Sequence, residues 1–101
     1  MTLRNVIEEL SELPREYTIY AAMIDGQWTL DSLAVVEEEP EDGCIQQTFD
    51  GVKMDYFLEI FLARDVIKVW KQWSGDQDPS IGAKLRALVH YKLHDAYLPV
   101  D

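Results

Sequence analysis

Tyr17-Thr18-Ile19-Tyr20-Ala21-Ala22-Met23-Ile24-Asp25-Gly26-Gln27-Trp28-Thr29-Leu30 is a hairpin written in residue types. β-Branched and aromatic side chains dominate Tyr17 to Ile24, and both alternating faces are largely apolar, which favours an extended strand. Asp25-Gly26 follows, a dipeptide whose second residue accepts positive φ at little cost and which closes two-residue hairpins. Gln27 to Leu30 then reads as a second extended segment, continuing past Asp31-Ser32 as Leu33 to Val36. Links this short join antiparallel neighbours, because a parallel pair needs a long crossover.

Working outward, the segment before the hairpin is helical. Leu3, Val6, Ile7, Leu10 and Leu13 recur at helical spacing with Arg4, Asn5, Glu8, Glu9 and Glu12 between them; Thr2 is placed to cap the first turn, and Leu13-Pro14 ends the pattern. After the hairpin, Glu37-Glu38-Glu39-Pro40-Glu41-Asp42-Gly43 interrupts all periodicity and predicts an exposed loop. Residues 44–52 hold Ile45, Phe49 and the turn dipeptide Asp50-Gly51, a pattern shared by short strands and loops. Lys53 to Ile60 alternates as a strand, with Met54, Tyr56, Leu58 and Ile60 on one face and Asp55, Phe57 and Glu59 on the other.

From Leu62 to Trp73 the residues Leu62, Ala63, Val66, Ile67, Val69, Trp70 and Trp73 fall on one side of a helix that Ser74-Gly75 closes. Val66, Ile67 and Trp70 are expected to dock on the sheet. Asp78-Pro79 opens the last helix, with Asp as cap and Pro at the first helical position. Lys92 falls inside its apolar face, so the helix either stops near Tyr91 or Lys92 reaches an acidic partner. The fold class is α+β: a small antiparallel sheet of three to four strands with helices packed on one face, in the order α-β-β-β-(β)-α-α.

A chain of 101 residues, 48% hydrophobic, suits one domain over 1–101 with one core. No apolar run is long enough to cross a bilayer, and the Met1-Thr2-Leu3-Arg4 start lacks the layout of a signal peptide. Cys44 stands alone beside Glu41 and Asp42, which fits a reducing, cytoplasmic setting and an unreactive thiol. The net charge of −10 is uneven: residues 21–60 hold ten acids against Lys53 alone, whereas residues 61–101 hold six bases against five acids. Such a field disfavours nucleic acid and anionic membranes as partners and admits a basic protein.

Candidate chemistry is sparse. His90 and His94 have the i, i+4 spacing of paired metal ligands but lack a third ligand and the intervening Glu of a zinc-protease helix, so they read as surface histidines. The acids of 37–42 do not alternate as in a calcium loop. No serine lies in a nucleophile elbow and no Gly-rich phosphate loop occurs. No catalytic residue, no metal and no cofactor is assigned, and the chain is not expected to be an enzyme. The binding candidates are Glu37, Glu38, Glu39, Glu41 and Asp42 for a basic partner, together with Phe57 and Phe61, whose places off the main apolar faces predict a symmetric homodimer.

The amphipathic start ending in Leu13-Pro14, the Trp28-Thr29-Leu30-Asp31 segment, the acidic loop, and Tyr56-Phe57-Leu58 running into Arg64-Asp65-Val66-Ile67 resemble a group of small uncharacterised bacterial proteins. These are similar to cargo of mobile gene cassettes or of toxin-neighbouring loci. The resemblance covers roughly residues 3 to 70, implies an accessory, immunity-like or regulatory binding role, and supplies no catalytic residues. The function expected is therefore a protein-binding module. The alternatives are a small-ligand binder or small enzyme with a pocket between sheet and helices, and an acidic mimic of nucleic acid.

Overall fold

The computed structural model describes residues 1–38, 46–75 and 78–97. Glu39, Glu41, Asp42 and Cys44, and with them most of the expected acidic loop, lie outside the described residues; Glu37 and Glu38, expected to open that loop, are instead strand residues paired with Thr18 and Tyr17.

Thr2 caps α1 (Leu3–Glu8) in a reciprocal box: its Oγ accepts from the Asn5 amide, and the Asn5 side chain accepts the Thr2 amide at 2.9 Å. The helix is shorter than the apolar spacing predicts. It ends at Glu9, and a single 3-10 turn, Leu10–Glu12, follows before Leu13 goes extended ahead of Pro14. The stripe itself is as expected, with Leu3, Val6, Ile7 and Leu10 all buried.

The sheet is antiparallel throughout, in the order β2-β1-β4-β3, with β1 Tyr17–Ala21, β2 Ala34–Glu38, β3 Gln46–Phe49 and β4 Val52–Glu59. Asp25 and Gly26 take φ of 52° and 77°, the doubly positive geometry of a hairpin turn, and Ile24 pairs with Gln27 across them. The second arm does not continue as a strand. Trp28 swings inward: its indole N–H donates to the Ala21 carbonyl at 3.2 Å and its ring lies 5.1 Å from that of Phe57. Burial of a large aromatic outweighs the ladder bonds a regular hairpin would have made. A turn over Thr29–Ser32 then resets the chain, and pairing resumes with Ala21 opposite Ala34. Asp50 and Gly51 repeat the positive-φ pair between β3 and β4, so the undecided 44–52 segment contains a strand.

β4 holds the main departure from the expected alternation. Ile19 faces Leu58 while its neighbour Tyr20 faces Tyr56, so Phe57 is an extra residue in a β-bulge. Directly opposed residues share a face, so Leu58 lies on Ile19's face and Tyr56 on Tyr20's. Phe57 is fully buried, in contact with Trp28, and belongs to the same core as Leu58. The expected grouping of Met54, Tyr56 and Leu58 on one face with Phe57 opposite is therefore incorrect. On the other face Tyr20 is fully buried, with the rings of Phe49 and Tyr56 at 5.4 and 5.7 Å.

α2 (Ile60–Ser74) begins directly after β4, and Gly75 ends it at φ 74°, its amide donating to the Lys71 carbonyl. Ile60, Ala63, Val66 and Ile67 are buried, whereas Trp70 is only half-buried and Trp73 is 56% exposed. α3 (Ile81–His94) is capped by Ser80, whose Oγ accepts from the Ala83 amide at 3.1 Å, two residues later than the expected Asp78 cap. It runs past Tyr91 because Lys92 finds a place over the Tyr56 ring, 5.4 Å from its centroid, rather than against a carboxylate. Leu85, Ala87 and Leu88 join the α1 and α2 stripes, Ile19, Ala21, Ala34, Phe57 and Leu58 in one core.

Candidate functional site

β2 lies at one edge of the sheet. Its first residues are covered by the N-terminal segment: Thr2 bridges to Leu33, and the Ala34 amide donates outward to the Met1 carbonyl at 2.8 Å. The Leu33 carbonyl instead accepts from Ala22, toward β1. Backbone groups alternate in direction along an antiparallel ladder, so the amides and carbonyls of Val36 and Glu38 point outward like those of Ala34. No partner strand meets them among the described residues. Glu37 and Glu38 are exposed there; they pair with Thr18 and Tyr17 and so project from opposite faces of the same edge.

Phe57 and Phe61 are not brought together. Phe57 is 0% exposed and belongs to the core, so it offers nothing to a partner; the bulge that turns it inward has no signature in a plain apolar–polar alternation. Phe61 is 47% exposed on the first turn of α2, its amide held by the Arg15 carbonyl at 3.1 Å. It borders a shallow recess with Arg15, Arg64, Asp65 and Lys68.

A larger cleft of about 340 Å³ opens between the N-terminal segment and the α2–α3 pair. Arg64, Lys68 and Lys71 line it from α2, Lys84 from α3, and Glu8 and Ser11 from the N-terminal side. Residues 64, 68 and 71 share one side of a helix by their spacing. Arg64 braces the wall: its Nε–H donates to the Leu10 carbonyl at 2.9 Å and an Nη–H donates to that of Leu13. The sequence signals that could have located this cleft are the cationic i, i+4, i+7 row and the positive balance of the last 41 residues. Neither reveals Lys84 or the opposing N-terminal wall.

A third depression has an apolar floor of Trp28, Val89 and Leu93, with His90 and His94 along one side. The two imidazoles lie 4.4 Å apart, centroid to centroid. Among the described residues no group of three or more His, Cys, Asp or Glu is placed to hold a metal ion. No helix among them is long and apolar enough to cross a membrane.

Comparison with known proteins gives one match. A family model described as "Domain of unknown function (DUF7716)" matches residues 1–100, and the chain belongs to that family. No curated protein and no solved structure matches it.

Proposed function

We propose that this DUF7716 chain is a non-catalytic binding domain that captures a basic segment of another protein as an added strand on β2. The observation behind this reading is the outer edge at Val36 and Glu38, unpaired among the described residues and flanked on both faces by the exposed carboxylates of Glu37 and Glu38. Strand addition takes its affinity from main-chain hydrogen bonds and its selectivity from alternating side chains. Acidic flanks select a strand bearing lysine or arginine, because opposite charges across a strand pair stabilise it and like charges do the reverse. The same carboxylates oppose β2-to-β2 pairing of two copies, the use of edge charge that keeps sheets from aggregating. The expected homodimer also loses one of its two anchors with the burial of Phe57, so a basic heterologous partner is the occupant proposed. An accessory, immunity-like or regulatory role, as the resemblance to toxin-neighbourhood proteins implies, asks for a surface of this kind and no catalytic group.

The test uses the full chain and an eight-residue peptide alternating lysine and valine, with amide hydrogen exchange as the readout. The peptide is expected to slow exchange at Val36 and Glu38. The effect should vanish with alternating glutamate and valine, and in a Val36→Pro variant, which removes an outward donor at a position where an edge strand tolerates proline. Protection that persists in Val36→Pro, or a lysine peptide no better than the glutamate one, would refute the edge as the site. A concentration-dependent dimer in light scattering that protects the same amides would make a second copy the occupant instead.

A further inference from the structure

Independently of the β2 edge, we infer that the cleft between the N-terminal segment and the α2–α3 pair is a binding site for a small phosphorylated molecule. Among the described residues, four of the chain's nine basic residues line it, Arg64, Lys68, Lys71 and Lys84, against the single acid Glu8. The chain as a whole is strongly acidic: nineteen acids against nine bases give it a net charge of −10. Among the described residues Lys68, Lys71 and Lys84, like the other lysines and arginines, form no ion pair, and these three make no side-chain hydrogen bond. Arg64 and Lys68 are i, i+4 neighbours and Lys68 and Lys71 i, i+3, spacings at which like charges destabilise a helix. Arg64 has a structural task in its bonds to the Leu10 and Leu13 carbonyls, and Lys71 suits the C-terminal turn of α2. Lys68 and Lys84 have no such role, and an anion seated in the cleft would relieve the repulsion.

The planar fork of a free arginine suits carboxylate and phosphate alike, and the Arg64 fork is already engaged with the Leu10 and Leu13 carbonyls. What remains is three ammonium groups approaching from two helices, point charges with rotatable donors that suit the tetrahedral, multiply charged phosphoryl group. The Ser11 hydroxyl opposite adds a neutral donor. Ile7, Leu10 and Ile67 give the cleft an apolar lining, and its volume of about 340 Å³ leaves room for an organic moiety beside the phosphate.

Pyrophosphate is the probe, titrated into the full chain at low ionic strength with amide chemical shifts followed residue by residue. Saturable shifts are expected at Ser11, Lys68, Lys71 and Lys84. The double variant Lys68→Gln/Lys84→Gln should weaken binding by at least about tenfold, the loss expected for charge-assisted hydrogen bonds. It should remain folded, with a cooperative melt like the parent's. Lys53→Gln, on exposed β4, should leave affinity unchanged. Shifts spread evenly over the surface, or affinity unaffected by the double variant, would overturn the site. Citrate binding as tightly as pyrophosphate would overturn the phosphoryl assignment.

Discussion

Phe57→Ala removes a fully buried ring that touches Trp28 at the bulge of β4, and the expected loss is about 3–5 kcal/mol, the range for emptying a large aromatic site. Urea melts would measure it as a lower midpoint at unchanged slope. Phe57→Glu should leave the chain unfolded, since a carboxylate would lie unpaired in the core. A folded Phe57→Glu monomer would show that Phe57 is not core. The residue-scale lesson lies in why its place was not legible. A strict period of two assigns Phe57 to the face opposite Leu58, and only the extra residue opposite Ile19 and Tyr20 lets both turn into one core. Trp28 was hidden for a related reason: a residue two past an Asp-Gly turn belongs to a strand by local propensity, yet it folds back to bond the Ala21 carbonyl. Thr2, Gly75 and the two Asp-Gly turns were legible because each performs its task through its own backbone or its immediate neighbours.

At the scale of elements, the end of α3 is tied to α2 by one aromatic. The Tyr97 hydroxyl donates to Asp65 at 2.9 Å, and its ring packs 5.5 Å from Trp73 and 5.4 Å from Tyr91. The hydrogen bond to Asp65 lifts the phenol's pKa above the usual tyrosine value, with desolvation and the Asp65 and Tyr91 charges adding to the rise. A pKa higher in the folded state than in the unfolded one means that the folded state holds the proton more tightly. The tether's contribution is therefore complete below the ordinary tyrosine pKa and is lost as pH climbs through the raised one. The difference between the ultraviolet titrations of the parent and Tyr97→Phe should show a phenol that ionises above the usual tyrosine range, and Asp65→Asn should bring it down. A Tyr97 phenol unmoved by Asp65→Asn would discount the bond. The helices were readable in kind and order from their apolar spacing, and their ends less so. Ser80 displaces Asp78 as the cap of α3, and Lys92 extends the helix by resting on a ring from β4 that no local pattern announces.

Over the whole molecule, the acidic excess of residues 21–60 was plain in the sequence, but the cationic cleft was not. Arg64, Lys68 and Lys71 belong to one helix and Lys84 to another, while Glu8 and Ser11 arrive from the opposite end of the chain. This arrangement sets the response to salt. A net charge of −10 is confined to extents of 40 × 29 × 23 Å. At about 0.01 M ionic strength the screening length is roughly 30 Å, so each acid interacts with most of the others; at about 0.15 M it falls to roughly 8 Å and only near neighbours remain coupled. Self-repulsion destabilises the compact state more than the expanded one. Raising sodium chloride over that interval should therefore raise the melting temperature, and about 1 kcal/mol of relieved repulsion corresponds to about 4–8 °C for a domain of this size. Chloride is the appropriate anion, since phosphate or pyrophosphate would add occupancy of the lysine cleft to the screening. Sodium pyrophosphate at matched ionic strength should raise the melting temperature further in the parent and not in Lys68→Gln/Lys84→Gln, because a ligand that binds only the folded state stabilises it by mass action. A melting temperature that falls with sodium chloride would mean that attractive ion pairs outweigh the repulsion of the acidic excess.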